Sequence, residues 1–403
     1  MDGDPSVEPE LDSFSLYLPL PYRVALIIVL GVWAWGVNLH YLHLMNIDVP
    51  SLIRYPSRNT NSAPPIYLSC YRLASLLTTP LAALLLLFWA VTRGNPEAVR
   101  SWEIIPNLYL LILVVCFCLP FHIISGSGRQ RFLTTLKRIS VGGIAEAQDG
   151  KFGDILMADA LTSYAKVIGD LFVSLCLFFS RGKSSTGHPD RSCGGSFIVP
   201  IILAIPSLIR FRQCLIEYSR VRRRNWKPGN NSDDVAAWNH MANAVKYASA
   251  FPVIIMSAIQ RSHEGSTTVF RLWLFFVVIN SAYSFYWDVA KDWDLTLFSA
   301  RYKDPEHPLG LRYHRYFEVK ELYYFVIVLD LLLRFTWSIK LSVHLDRFND
   351  MEGGIFLLEL LEVFRRWVWV FFRVETEWVR THRGPAPDDI LLGDMPNTKI
   401  DDD

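Results

Sequence analysis

Net charge is almost missing from this chain: 40 Lys and Arg stand against 39 Asp and Glu, leaving +1 over 403 residues. No global field argues for a nucleic-acid partner. Cysteine is sparse, with six residues (Cys70, Cys116, Cys118, Cys176, Cys193, Cys214) and no C-x-x-C pair. That pattern speaks against a zinc or thiol-redox site, and the cysteines read as small buried hydrophobes rather than as a disulfide framework. The acidic opening stretch lacks the basic n-region and small-residue cleavage site of a signal peptide, so the first apolar helix is expected to serve as the targeting signal. Nucleotide fingerprints are lacking too. RGKSST at 181–186 resembles the end of a P-loop, but Leu177 stands where the pattern needs glycine. His40 and His43 share a helix face with no third ligand in view. No catalytic serine arrangement is visible, so the sequence points to no enzyme, no cofactor and no metal.

What the chain does have is apolar bulk. Hydrophobic residues fill 51% of positions, with 25 Phe, 17 Tyr and 13 Trp, and mean hydropathy is +0.22. A membrane span needs about 20 mostly apolar residues to cross roughly 30 Å of hydrocarbon. Such windows fall near 23–45, 68–92, 104–125, 156–180, 196–216, 240–260, 268–290, 320–344 and 354–374. In lipid the backbone must bond internally, so these windows predict helices. The expected fold class is an all-α polytopic integral membrane protein with about nine or ten transmembrane helices. Residues 1–22 and 381–403 read as disordered acidic tails. Residues 23–127 read as scaffold spans nearly free of charge, and 128–380 as an interfacial helix followed by a charged helix bundle. The Lys/Arg bias places 210–227, 128–151 and 291–319 in the cytoplasm, and the loops near 261–267 and 345–353 on the lumenal or outer side.

The later spans hold charge where lipid penalises it. Asp159, Lys166 and Asp170 lie in one window, and Lys246 with Tyr247 in the next. Asp288 and Asp292 are spaced i,i+4, and Asp330, Arg334 and Trp337 follow on another helix. Arg365, Arg366 and Arg373 come last, with Glu362, Glu375 and Glu377. Any single pair reads equally well as an interhelical salt bridge. As a set, Lys246, Arg334, Arg365 and Arg366 are cations from three helices, and converging cations repel unless an anion sits among them. Planar guanidiniums suit an oxyanion such as phosphate, with the aspartates neutralising the empty site and letting the ion leave.

Several blocks in order carry a family resemblance: MADALTS at 157–163, RFRQCLIEY at 210–218, NAVKYASAF at 243–251, YWDVAKDWDL at 286–295, LLLRFTWSI at 331–339 and FRRWVWVFFRVETEW at 364–378. On these the chain resembles the EXS-domain family, whose animal and plant members export inorganic phosphate. The resemblance implies a phosphate path lined by Asp159, Lys246, Tyr247, Asp288, Asp292, Arg334, Trp337, Arg365 and Arg366, with Thr162 standing where relatives carry asparagine. The short opening implies that the SPX domain of the long exporters is absent, as in short fungal members tied to the Golgi membrane and to retention of ER and Golgi proteins. Implied partners are inorganic phosphate, membrane lipids, factors that recycle Golgi glycosyltransferases, and a second copy of the chain in a homodimer. A different class remains open: a trafficking adaptor that recruits coat or retrieval factors through its basic cytoplasmic loops.

Overall fold

Backbone polar groups surrounded by hydrocarbon can be satisfied within a single segment only by a helix, and the regular elements among the described residues are all helical. The structure, a computed structural model, describes residues 12–54, 65–118, 126–180, 182–223, 231–262, 266–298, 308–312, 314–336 and 352–383. Its longer helices are α1 Leu20–Leu44, α2 Ile66–Thr92, α3 Ile104–Cys118, α4 Gly126–Lys137, α5 Lys151–Ser163 and α6 Ala165–Phe179. They continue with α7 Ile198–Arg223, α8 Asn231–Ala248, α9 Ala250–Ser262, α10 Thr267–Trp287, α11 Lys320–Arg334 and α12 Glu352–Arg383. Most of the two expected tails lies outside the described residues. The exception is Ser13–Tyr17, a short helix inside the stretch expected to be disordered, whose Phe14 packs on Phe356 at 5.7 Å between ring centroids.

Six helices among the described residues are long and apolar enough to cross a membrane, or seven if the pair α5–α6, bent by 61°, is one span. The expected nine or ten is therefore not reached. The windows at 320–344 and 354–374 account for the shortfall. The first is helical over Lys320–Arg334 and leaves the described residues at 337, and the second lies in α12, which carries too many acids and arginines to score as apolar.

The early spans differ from one another. α1 has 50% of its apolar window buried, against 22% for α2, because α1 packs against α2, α3, α6 and α12. Apolar bulk does not drive helices together in lipid, so close approach and hydrogen bonds must. Gly36 supplies the approach: a Cβ there would sit 3.0 Å from the Tyr71 ring of α2. Trp33 Nε1 donates to Thr78 at 2.9 Å, and Trp367 Nε1 of α12 donates to the Ala34 carbonyl at 2.9 Å. His40 stacks on Tyr67 at 4.2 Å and meets the Tyr71 hydroxyl at 3.1 Å, a packed role.

Two of the apolar clusters are large. One gathers Tyr22, Ile27, Phe88, Tyr109 and Val363, the other Leu42, Trp293, Tyr323, Trp369 and Phe372. Along α12 the charged residues Arg365 and Arg366 fall between Val363 of the first and Trp369 of the second. The charged residues of α12 therefore sit between two packed zones.

Cys176 and Cys193 form a disulfide, which corrects the expectation that the cysteines are merely buried hydrophobes. Cys70, Cys116 and Cys214 are free thiols. Disulfides persist in oxidising compartments, so the loop after α6 belongs on the lumenal side. Arg191 in that loop and Glu352 pair with each other, which places the start of α12 at the same end. The basic segments occupy the other end, as charge bias predicts. There Arg131 donates to the carbonyls of Ile53 and Arg54 at 3.3 and 2.9 Å, and Arg138 Nε pairs with Asp154 at 2.8 Å.

Candidate functional site

Three acidic centres organise the charged layer, each on a different helix. Asp288 stands where α10 runs into a wide π-type turn, Asp288–Asp292, of the kind often found at functional sites. It is fully buried and draws three cations from three other helices. Lys246 Nζ of α8 lies 3.4 Å away, Arg334 Nε of α11 donates at 3.0 Å, and Arg365 Nη1 of α12 lies at 3.4 Å. Lys246 also reaches Asp292 at 3.5 Å, so both carboxylates expected on one face do meet the same ammonium. Asp330, one turn before Arg334, accepts from Arg365 at 3.0 Å and lies 3.6 Å from Arg334.

The second centre is Asp159 on α5. Its Oδ1 accepts from Tyr247 Oη at 2.5 Å and from Arg210 Nε at 2.6 Å, and Arg210 Nη1 donates onward to Gln213 at 2.6 Å. The guanidinium of Arg210 lies 4.9 Å from the Tyr247 ring centroid. The third centre is Glu362, which accepts from Arg365 at 2.7 Å and from the Ser163 hydroxyl at 2.7 Å. Ser163 in turn accepts from Arg366 Nε at 2.9 Å, and Arg366 Nη2 reaches Thr162 Oγ1 at 3.4 Å. Arg366 also lies 4.5 Å over the Trp369 ring.

Unit charges about 4 Å apart attract by about 4 kcal/mol at an effective dielectric near 20. Three such attractions at Asp288 offset a desolvation cost of several kcal/mol per ion. The cluster is therefore sound as a structure, and the space among Trp293, Asp330, Arg365 and Trp369 has no room for a water molecule. Arg366 is the exception in kind. It is 7% exposed, and among the described residues it makes no ion pair, only bonds to hydroxyls and an aromatic face.

Of the residues expected to line a path, Asp159, Lys246, Tyr247, Asp288, Asp292, Arg334, Arg365 and Arg366 are brought into this layer; Trp337 lies outside the described residues. Arg210 was placed by charge bias in a cytoplasmic basic segment, yet it is 4% exposed and belongs to the Asp159 centre. The signal was present in RFRQCLIEY, where Arg210, Gln213 and Glu217 recur at helical spacing among apolar neighbours. Ser163 was missed, because a lone serine carries no pattern.

A stripe along α12 ties this layer to the ends of the bundle. Glu352, Glu359, Arg366 and Arg373 recur every seven residues, which keeps them on one helix face with a slow drift. Their partners run from Arg23 and Arg191, through Lys166 at 3.4 Å and the hydroxyls of α5, to Glu377 at 3.0 Å.

Comparison with known proteins places the chain in a family. The EXS family profile matches residues 18–379. Protein ERD1 homolog 1 of Schizosaccharomyces pombe is 32% identical over 377 residues, covering 91% of this chain and 93% of that protein. Protein ERD1 homolog 2 of the same yeast is 27% identical over 402 residues, covering 91% and 98%. Solute carrier family 53 member 1 of Mus pahari is 32% identical over 243 residues, covering 56% of this chain and 32% of that protein. An all-helical, multi-pass membrane protein with a charged layer at span depth, this chain belongs to the EXS family.

Proposed function

We propose that this chain moves inorganic phosphate across the Golgi membrane from lumen to cytosol, supporting glycosylation and the retention of ER and Golgi proteins. The observation that carries this reading is Arg366, a guanidinium held at depth by Ser163, Thr162 and Trp369 rather than by a carboxylate. Its neighbours Arg334, Arg365 and Lys246 share carboxylates that an incoming oxyanion can replace. A guanidinium offers two parallel donors to adjacent phosphate oxygens, and charge-assisted bonds of this kind are about twice as strong as neutral ones. Asp288 and Asp330 then serve as internal counter-ions between transport events, and Tyr247 and Arg210 fix Asp159 beside the path. Because the space beside Asp330 and Arg365 has no room for a water molecule, an ion reaches that part of the layer only as their pairs open. The resemblance to phosphate exporters and the similarity to a solute carrier support the transporter class.

The adaptor reading rests on the basic segment 210–227, where Arg212, Arg222 and Arg223 are exposed while Arg210 is buried and Arg220 half-buried. Arg210 binds Asp159, Arg212 donates to the Val141 carbonyl at 2.6 Å and Arg220 to the Ile144 carbonyl at 2.8 Å.

Radiolabelled phosphate uptake into proteoliposomes tests the proposal. Arg366→Ala and Arg334→Ala should each lower flux by about tenfold or more, and Arg366→Lys should also impair it, because an ammonium cannot reproduce the fork of donors. Unchanged flux in both alanine variants would overturn the site assignment.

A further inference from the structure

The lumenal end of the α12 stripe carries a second cluster that the charged layer does not use. Arg23, in the first turn of α1, and Arg191, in the disulfide-bearing loop, both close on Glu352, the first residue of α12. Arg191 Nη1 and Nη2 donate to the two carboxylate oxygens at 2.8 and 3.0 Å, and Arg23 Nη1 donates to Oε2 at 2.5 Å. The other donors of Arg23 are anchored by the Leu18 carbonyl and the Ser15 hydroxyl, each at 2.7 Å. Arg191 Nε lies 3.4 Å from Asp170. Arg23 and Glu352 side chains are 3% and 6% exposed, whereas Arg191 is 21% exposed.

Two guanidiniums that close on both oxygens of one anion make the donor pattern that recognises phosphate. Here the arginines arrive from two elements that are each pinned elsewhere. Arg191 stands two residues before Cys193, whose disulfide fixes the loop to α6. Ser184 and Ser185 of the same loop bond Glu103 at 2.8 and 2.9 Å. The two arginines are therefore held in place by contacts other than those to Glu352.

We infer that Arg23 and Arg191 form a second oxyanion station at the lumenal mouth, with the Glu352 carboxylate seated in it as an intramolecular stand-in for phosphate. This rests on the proposed transport function and adds the lumenal binding step to it. Inorganic phosphate displaces Glu352, which swings off the clamp. The ion then has the α12 face ahead of it, with Arg366 fourteen residues on, about 21 Å along the helix.

Oriented proteoliposomes and inorganic phosphate supply the test. Glu352→Gln weakens the internal competitor, so the KM for lumenal phosphate should fall by about threefold or more with the cytosolic-side KM unchanged. Arg191→Gln should raise the lumenal KM by about tenfold, with partial recovery in Arg191→Lys. Lumenal KM unaltered in Glu352→Gln and Arg191→Lys, in vesicles where the unsubstituted protein transports, overturns the station and leaves a structural clasp. Should the unsubstituted protein move no phosphate, the transport proposal falls, and thermal unfolding in detergent decides the station by itself. A phosphate-induced rise in Tm that is larger in Glu352→Gln than in the unsubstituted protein upholds it; no rise in either overturns it.

Discussion

α2 and α12 are both long enough to cross a bilayer, at 27 and 32 residues, yet only one of them looks like a membrane helix by composition. α2 has a window hydropathy of 2.0 and turns Leu76, Leu86 and Leu87 outward. α12 buries Glu352, Glu359, Arg365, Arg366 and Glu375 among other helices. The difference is one of neighbours. Lipid tails face most of α2, and no hydrocarbon can stabilise a charge. α12 is surrounded by helices that bring Arg23, Lys166, Asp288, Asp330 and Arg312 to meet its charges. Hydropathy thus reports which helix faces lipid rather than which helix lies at depth.

The sharpest way to break this comparison is to remove a counter-charge. Asp288→Ala leaves Lys246, Arg334 and Arg365 with too few carboxylates, and should cost about 3–5 kcal/mol, read as a large fall in Tm or in the folded fraction on size-exclusion chromatography. An unaltered Tm would mean that water already compensates those cations. The contact between α1 and α2 comes next. Gly36→Leu drives a branched side chain into the Tyr71 ring and should cost about 1–3 kcal/mol. Gly36→Ala should be nearly neutral in the same Tm assay, because the tight contact is offset by about 0.5–1 kcal/mol of helix propensity. On the outward face of α2, Leu86 is 61% exposed. Leu86→Ala should change Tm by less than the equivalent of about 0.5 kcal/mol, since lipid fills the gap.

The smallest effect is expected at a charge outside the bilayer. Lys183 and Ser192 hold the Asp190 carboxyl at about 2, below its ordinary 3.8. A lowered value means stability that is present above the unfolded value and lost as pH falls through about 2. Asp190→Asn should therefore cost only about 0.2–1 kcal/mol, and equally at pH values near 5 and 7, because both lie above the window. Unfolding curves at the two pH values, compared with those of the unsubstituted protein, check this.

Much of the charged layer was legible because burial of an ionisable group in an apolar window is costly and so rarely idle. Lys246, Asp288, Arg334 and Arg365 stood out for that reason, and they converge. Arg210 did not, because it opens a run of arginines whose sum reads as a cytoplasmic loop while its own position is one turn deeper. Glu352 and Arg191 were invisible as a pair for a different reason: 161 residues separate them, and their contact depends on how the loop after α6 folds back. The same fold-back hides the partner of Cys176. The count of spans suffered from α12, whose charges are affordable only once its neighbours are known.

The Cys176–Cys193 bond has a consequence for how the chain is threaded. Its two ends lie 17 residues apart, one near the end of α6 and the other just before α7. Neither thiol can be oxidised until both have reached the lumenal side, so the bond can form only on a chain that has inserted the right way round. Once formed, it turns the loop into a closed ring carrying Lys183, Asp190 and Arg191, too wide and too polar to slip back through hydrocarbon. The cross-link therefore acts as a ratchet on topology, fixing in covalent form an orientation that charge bias chose at the moment of insertion.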